Sequence, residues 1–86
     1  MNEFIINKNI FNKGVYARTW KYGDKVYLEI GSKKVSDLFI DFKIPRIKKK
    51  SYLILENNCG EIIWIPGIYS RNYPNSVDSY KIIYTE

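Results

Sequence analysis

Two apolar runs joined by a short turn constrain this chain more than any other feature. Tyr52-Leu53-Ile54-Leu55-Glu56 and Glu61-Ile62-Ile63-Trp64-Ile65 flank Asn57-Asn58-Cys59-Gly60, a run of turn-forming residues, and so predict a hairpin. A strand with one wet face alternates polar and apolar side chains. These two do not alternate, so the hairpin must be covered on both faces. Other β-like runs are available to cover it: Phe4 to Ile6, Val15 to Trp20, Val26 to Ile30 and Tyr80 to Tyr84. They are rich in β-branched and aromatic residues and are separated by Gly, Asn, Asp or Pro. Tyr22-Gly23-Asp24-Lys25 reads as a turn between two of them, and Asn72-Tyr73-Pro74-Asn75-Ser76 as a surface loop before the last. Trp64 reads as a core residue of its strand, which Pro66 and Gly67 terminate.

One helix is signalled. Val35, Leu38, Phe39 and Phe42 recur at i, i+3, i+4, i+7, the spacing of a core-facing stripe, which leaves Asp37 and Asp41 on the wet side. Ser36 is the expected N-cap, Asp37 suits the positive end of the helix dipole, and Val35 before the cap staples to Ile40. Pro45 stops the helix. At 86 residues, 45% hydrophobic and 16% aromatic, the chain has the make-up of one compact β-rich domain spanning residues 1–86. No internal repeat, dividing linker or low-complexity tract interrupts it beyond Lys48-Lys49-Lys50.

Charge is distributed unevenly. Residues 33–50 carry seven cations (Lys33, Lys34, Lys43, Arg46, Lys48, Lys49 and Lys50) against Asp37 and Asp41, a surplus equal to the whole net charge of +5. Acidic and basic residues cancel elsewhere. A localised field of this kind attracts a polyanion better than the same charge spread evenly, although a charge run also occurs as a merely solvated face. Lys33 and Lys34 lie just before the expected helix cap, where the free amides of the first turn and two ammonium groups could face one anion, and Lys43 and Arg46 flank the other end.

The residues that carry most chemistry are missing. There is no histidine, the commonest general base and metal ligand, and the single Cys59 has neither a disulfide partner nor an activating imidazole. A binding module is therefore expected rather than a catalyst. The unpaired cysteine suits a reducing compartment. No apolar run approaches the length of a membrane span and no signal peptide is recognisable, so a cytoplasmic location is expected.

Four motifs, in order and spacing, carry a resemblance: Gly23-Asp24-Lys25; Gly31-Ser32-Lys33-Lys34-Val35-Ser36-Asp37-Leu38-Phe39-Ile40-Asp41; Lys43-Ile44-Pro45-Arg46; and Gly60-Glu61-Ile62-Ile63-Trp64-Ile65-Pro66-Gly67. Together, from about residue 20 to 68, they resemble the C-terminal domain of bacterial tRNA(Ile)-lysidine synthetase. The resemblance implies a small sandwich-like α+β unit with one short helix, similar to a domain of the phenylalanyl-tRNA synthetase β subunit. It implies a role in holding tRNA, including its acceptor-stem side, within a ligase that uses ATP to attach lysine to the wobble cytidine of an isoleucine tRNA. The interval Val26 to Ile30 is shorter than the family usually carries between its GD and KKVSD motifs. The family's ATP-pyrophosphatase domain, with its Gly-Gly-containing phosphate loop, is absent, since no two glycines here are adjacent. ATP and lysine would then belong to a catalytic domain outside this sequence, and no cofactor is expected in it.

The sequence thus predicts an accessory module whose Lys33, Lys34, Lys43, Arg46, Lys48 and Lys49 contact the tRNA backbone, with the catalytic domain of the parent enzyme as its other partner. A-form RNA is read largely through phosphates and 2′-hydroxyls, a task suited to cations spread over one face. The alternative is a structural module that docks on the catalytic domain or forms a homodimer. Arg18, Arg71 and exposed tyrosines could extend an RNA surface, but nothing in their spacing singles one out.

Overall fold

The computed structural model describes residues 3–73 and 78–85, so Pro74 to Ser76 of the expected surface loop lie outside the described residues. The chain forms β1 (Glu3–Asn7), α1 (Lys8–Lys13), β2 (Val15–Thr19), β3 (Lys25–Leu28), β4 (Gly31–Lys34), α2 (Val35–Asp41), α3 (Arg46–Lys49), β5 (Leu53–Asn57), β6 (Ile62–Ile65), β7 (Tyr69–Ser70) and β8 (Ser79–Ile83). It is a small α+β fold of short antiparallel strands. The largest sheet has the order β2-β5-β6-β7, while β1 pairs with β8 and β3 with β4 in two-stranded sheets.

The predicted β5–β6 hairpin is present and closes on one side chain. Asn57 is buried; its Oδ1 accepts from the Cys59 and Glu61 amides at 2.9 and 3.0 Å, and its amide nitrogen donates to Glu61 Oε1 at 3.1 Å. That use of an Asx side chain in place of backbone partners is what turns prefer. All of Ile62, Ile63, Trp64 and Ile65 are buried, as their apolar run requires. They serve two cores. Ile62 and Ile65 join Val26, Val35, Leu38, Phe39 and Ile54, whereas Ile63 and Trp64 join Phe4 and Ile6. Strict alternation would instead pair 62 with 64 and 63 with 65. The ladder explains the change: Leu55 faces Trp64 but Glu56 faces Ile62, so Ile63 is the extra residue of a bulge that resets the parity of the strand.

Several expectations are corrected. Among the described residues three short helical segments form instead of one, because Asn7 caps α1 through its side chain (Asn9 N–H to Asn7 Oδ1, 2.7 Å) and Arg46–Lys49 coils for one turn. Helix α2 starts at Val35, with Lys34 as its N-cap and no side-chain cap bond, so Ser36 does not cap it. Tertiary pairing sets that start: the Val35 amide donates to the Asp24 carbonyl at 3.0 Å. Ile40 is exposed and does not staple to Val35, and Phe42, expected on the core stripe, is about half exposed because the helix ends at Asp41. Gly31–Lys34 is a strand, created by pairing with β3 across a two-residue connection at Glu29 and Ile30.

Arg18 is structural. Its guanidinium binds Asp24 through two hydrogen bonds of 3.0 Å and Glu56 through one of 3.1 Å, tying the β2–β3 turn to the large sheet. Burial pushes the Asp24 carboxyl up, but the Arg18 guanidinium and the Lys21 amide outweigh it and hold it below its ordinary 3.8. The stability this ion pair adds is complete above that value and is lost as pH falls through the lower native pKa. Asp24→Asn is therefore expected to be less stable near neutrality, by about 1 kcal/mol, and to lose less on acidification; thermal unfolding of both proteins from about pH 6 to pH 2 checks this, and parallel curves would refute it. In urea titrations Ile63→Ala should cost about 2–5 kcal/mol, whereas Ile30→Ala, at a side chain 95% exposed, should cost under about 0.5 kcal/mol.

Candidate nucleic-acid interface

The cations of residues 33–50 are carried by a continuous path: the end of β4, helix α2, a reversal and the single turn α3. Val35, Leu38 and Phe39 anchor it from one side. Trp20 anchors it from the other, its indole N–H donating to the Lys49 carbonyl at 2.6 Å while its ring meets Phe39 edge-on at 5.0 Å. The lysine turn is thus fastened by backbone and leaves its side chains to solvent. Among the described residues, Lys34, Lys43, Arg46, Lys48, Lys49 and Lys50 have no carboxylate partner. Lys49 is half-buried and the others are exposed.

Lys33 is different. Its ammonium is paired with the Asp41 carboxylate, which raises the lysine above its ordinary value by hydrogen bonding and charge. Strand β4 is thereby clipped to the far end of α2, and Lys33 is the one predicted contact already neutralised within the chain. The expected anion cradle at the helix start is also altered, since the Val35 amide is taken by Asp24. Arg71, like Arg18, has an acidic neighbour, Glu61, at 3.5 Å.

Two positions on this path break local rules. The Ile44 amide donates to the Phe39 carbonyl and the Lys43 amide to the Ile40 carbonyl, at 2.9 and 3.0 Å, the pair of hydrogen bonds that closes a helix through a left-handed residue. That residue is Lys43, at φ 54°, where glycine is strain-free. Across the β3–β4 ladder, Lys34 stands directly opposite Lys25, a like-charge pairing that opposes the sheet, and neither has a carboxylate to relieve it among the described residues. Lys25 is a cation beside Lys34 that sequence reasoning missed. Reading Lys25–Leu28 and Gly31–Lys34 as a hairpin around a two-residue turn would have found it.

Among the described residues no group of three or more His, Cys, Asp or Glu side chains is placed to hold a metal, and no helix is long and apolar enough to cross a membrane. A depression of about 260 Å³ beside the lysine turn is lined by Lys48, Ser51, Tyr52 and Tyr84. Convergent catalytic side chains do not line it. What the fold and surface define is a small α+β domain with a cationic ridge on a firmly anchored support.

Comparison with known proteins supplies the family. The chain is 50% identical over 56 residues to the tRNA(Ile)-lysidine synthase of Bacillus licheniformis, and 44% identical over 76 residues to that of Clostridioides difficile. It is 31% identical over 91 aligned residues, 99% of its length, to the bifunctional TilS/HprT protein of Listeria innocua. These matches cover 12%, 16% and 14% of the respective relatives, so the chain spans less than a fifth of their length. A crystal structure of a TilS C-terminal domain superimposes with a TM-score of 0.78 at 27% identity, covering 93% of this chain and 65% of that one. No family model matches the chain. In sequence and fold it is a C-terminal domain of the tRNA(Ile)-lysidine synthase family.

Relief of the left-handed strain gives a test of the ridge as built. Lys43→Gly is expected to stabilise the fold by up to about 1 kcal/mol, read as a higher urea midpoint with an unchanged slope; a lower midpoint would show that the Lys43 side chain contributes to stability.

Proposed function

We propose that this chain is the tRNA-holding accessory domain of a tRNA(Ile)-lysidine synthase, the ligase that attaches lysine to the wobble cytidine of an isoleucine tRNA using ATP. It binds the tRNA backbone through Lys25, Lys34, Lys43, Arg46, Lys48 and Lys49, with Lys33 serving mainly to brace the helix that carries them. Lysine transfer, ATP and free lysine belong to the catalytic domain, which is the chain's other partner, and the work is done in the bacterial cytoplasm. The observation that carries this reading is the coincidence of the whole charge surplus with a path whose cations are almost all unpaired and exposed. Structural lysines acquire carboxylate neighbours, as Lys33 does; cations kept free at a left-handed residue and across from a like charge are kept for an external anion.

Docking of the catalytic domain has its own support. The β3–β4 hairpin leaves Tyr27, Leu28 and Ile30 exposed, apolar side chains unsuited to phosphate.

A salt titration decides whether RNA is bound. If four to six cations neutralise phosphates, log affinity for tRNA should fall against log salt with a slope of roughly −3 to −5, at ~0.7–0.9 per contact. The double variant Lys34→Ala with Lys43→Gly should shallow the slope by about 1.5. Undetectable binding at low ionic strength, or an affinity indifferent to salt, would overturn the reading in favour of docking alone.

A further inference from the structure

We infer that Tyr22 is a stacking platform for one unpaired nucleobase of the bound RNA, set beside the lysine turn that holds its backbone; the inference rests on the RNA-binding reading above. Tyr22 is 87% exposed, the most exposed tyrosine of the chain, yet it is not on a loose loop. It occupies the first corner of a tight turn whose second corner, Gly23, takes φ 96°, the positive value that a type II turn reserves for glycine. Both ends of the turn are locked. The Asp24 amide donates to the Lys21 carbonyl at 3.1 Å, and the Lys21 amide donates to Asp24 Oδ2 at 2.8 Å. Asp24 is in turn clamped by Arg18.

The ring leans on Trp20, with centroids 5.4 Å apart and planes tilted by 55°. The same indole holds the Lys49 carbonyl and packs on Phe39. One side chain therefore fixes the aromatic ring and the lysine turn relative to each other, and Tyr22 reaches solvent as the outer end of an aromatic pillar rooted in the core. Lys21 adds a cation on the adjacent residue. A rigid, open aromatic face among cations suits a nucleotide: the ring takes the base by stacking while ammonium groups take the flanking phosphates. Within a duplex, base faces are covered by their neighbours, so the occupant must be an unpaired or terminal base. The other tyrosines near the lysine turn are already engaged, Tyr52 through its hydroxyl on the Pro66 carbonyl and its ring against Phe39, and Tyr84 against the second core.

The test uses the whole chain and an RNA hairpin carrying a short single-stranded 3′ tail, compared with the same hairpin whose tail is abasic and so keeps every phosphate. Wild-type protein should bind the base-bearing tail about five-fold or more tightly than the abasic one. Tyr22→Ala should erase that preference while leaving affinity for the abasic probe unchanged, and Tyr22→Phe should retain it. The inference is overturned if Tyr22→Ala keeps the preference, if it weakens both probes equally, or if wild type binds both without discriminating. Failure of wild type to bind either probe at low salt would overturn the RNA-binding reading itself. Circular dichroism of the variants confirms that the exposed position leaves the fold intact.

Discussion

Strand β6 is the constraint on which the rest of the structure depends. Four consecutive buried residues, Ile62 to Ile65, leave no face of the strand for water, so layers must be built on both sides. A regular strand would divide those residues by alternation. The bulge at Ile63 divides them differently, sending Ile62 and Ile65 to the core beneath α2 and Ile63 and Trp64 to the core beneath β1. One strand thereby joins two small cores, neither of which a chain of this size could enlarge much alone. Phe4 stacking on Trp64 at 5.4 Å, with planes 13° apart, carries the same strand's influence to the N-terminal β1–β8 pair.

The basic ridge is a consequence of that arrangement. Burying Val35, Leu38 and Phe39 fixes one face of α2 on the first core, and Trp20 fixes the lysine turn through its indole. Most of the turn's side chains then point into solvent. The ridge also collects the chain's local violations: a lysine in left-handed conformation and two lysines opposed across a ladder. Each is unfavourable by itself, and each is tolerated because the surrounding backbone is over-determined by buried contacts. The clamp of Arg18 on Asp24 and Glu56 works in the opposite sense, consuming one cation to hold the turn that carries Tyr22.

The parts of the fold legible in the sequence are those set by local pattern and burial. The β5–β6 hairpin announced itself by unbroken apolar runs around turn residues, and three of the four stripe positions on α2 are buried at helical spacing. What was not legible depends on distant partners. The start of α2 is set by the Asp24 carbonyl, and the pairing of Lys33 with Asp41 joins two elements that the chain alone does not place together. Phe42 was read as core because continued helix would carry it there; the helix instead reverses through Lys43, where the usual signal would be glycine. Helix α1 left only its ends in the sequence, Asn7 and Gly14, with too short a body for periodicity to register. The candidate interface followed the same division: its cations were visible as a charge count, but which of them are free, and that Lys25 joins them, required the ladder.

That division bears on how such a surface works. Unpaired ammonium groups on an exposed ridge give individually weak, screened contacts, and phosphates are present on every RNA, so charge alone confers attraction with little selectivity. Selectivity must come from shape, from the fixed spacing of the cations and from any face that reads something other than phosphate. A rigid support therefore matters more than the number of lysines. Relatives of this chain are several times longer, and under the proposed role a covalent link to a second RNA-binding unit would multiply weak binding by the domain through effective concentration. Tight binding by the domain alone would gain little for an enzyme that must release each product. A cationic ridge held on the first of the two small cores, strong enough to orient and weak enough to let go, is what the proposed role asks of these residues.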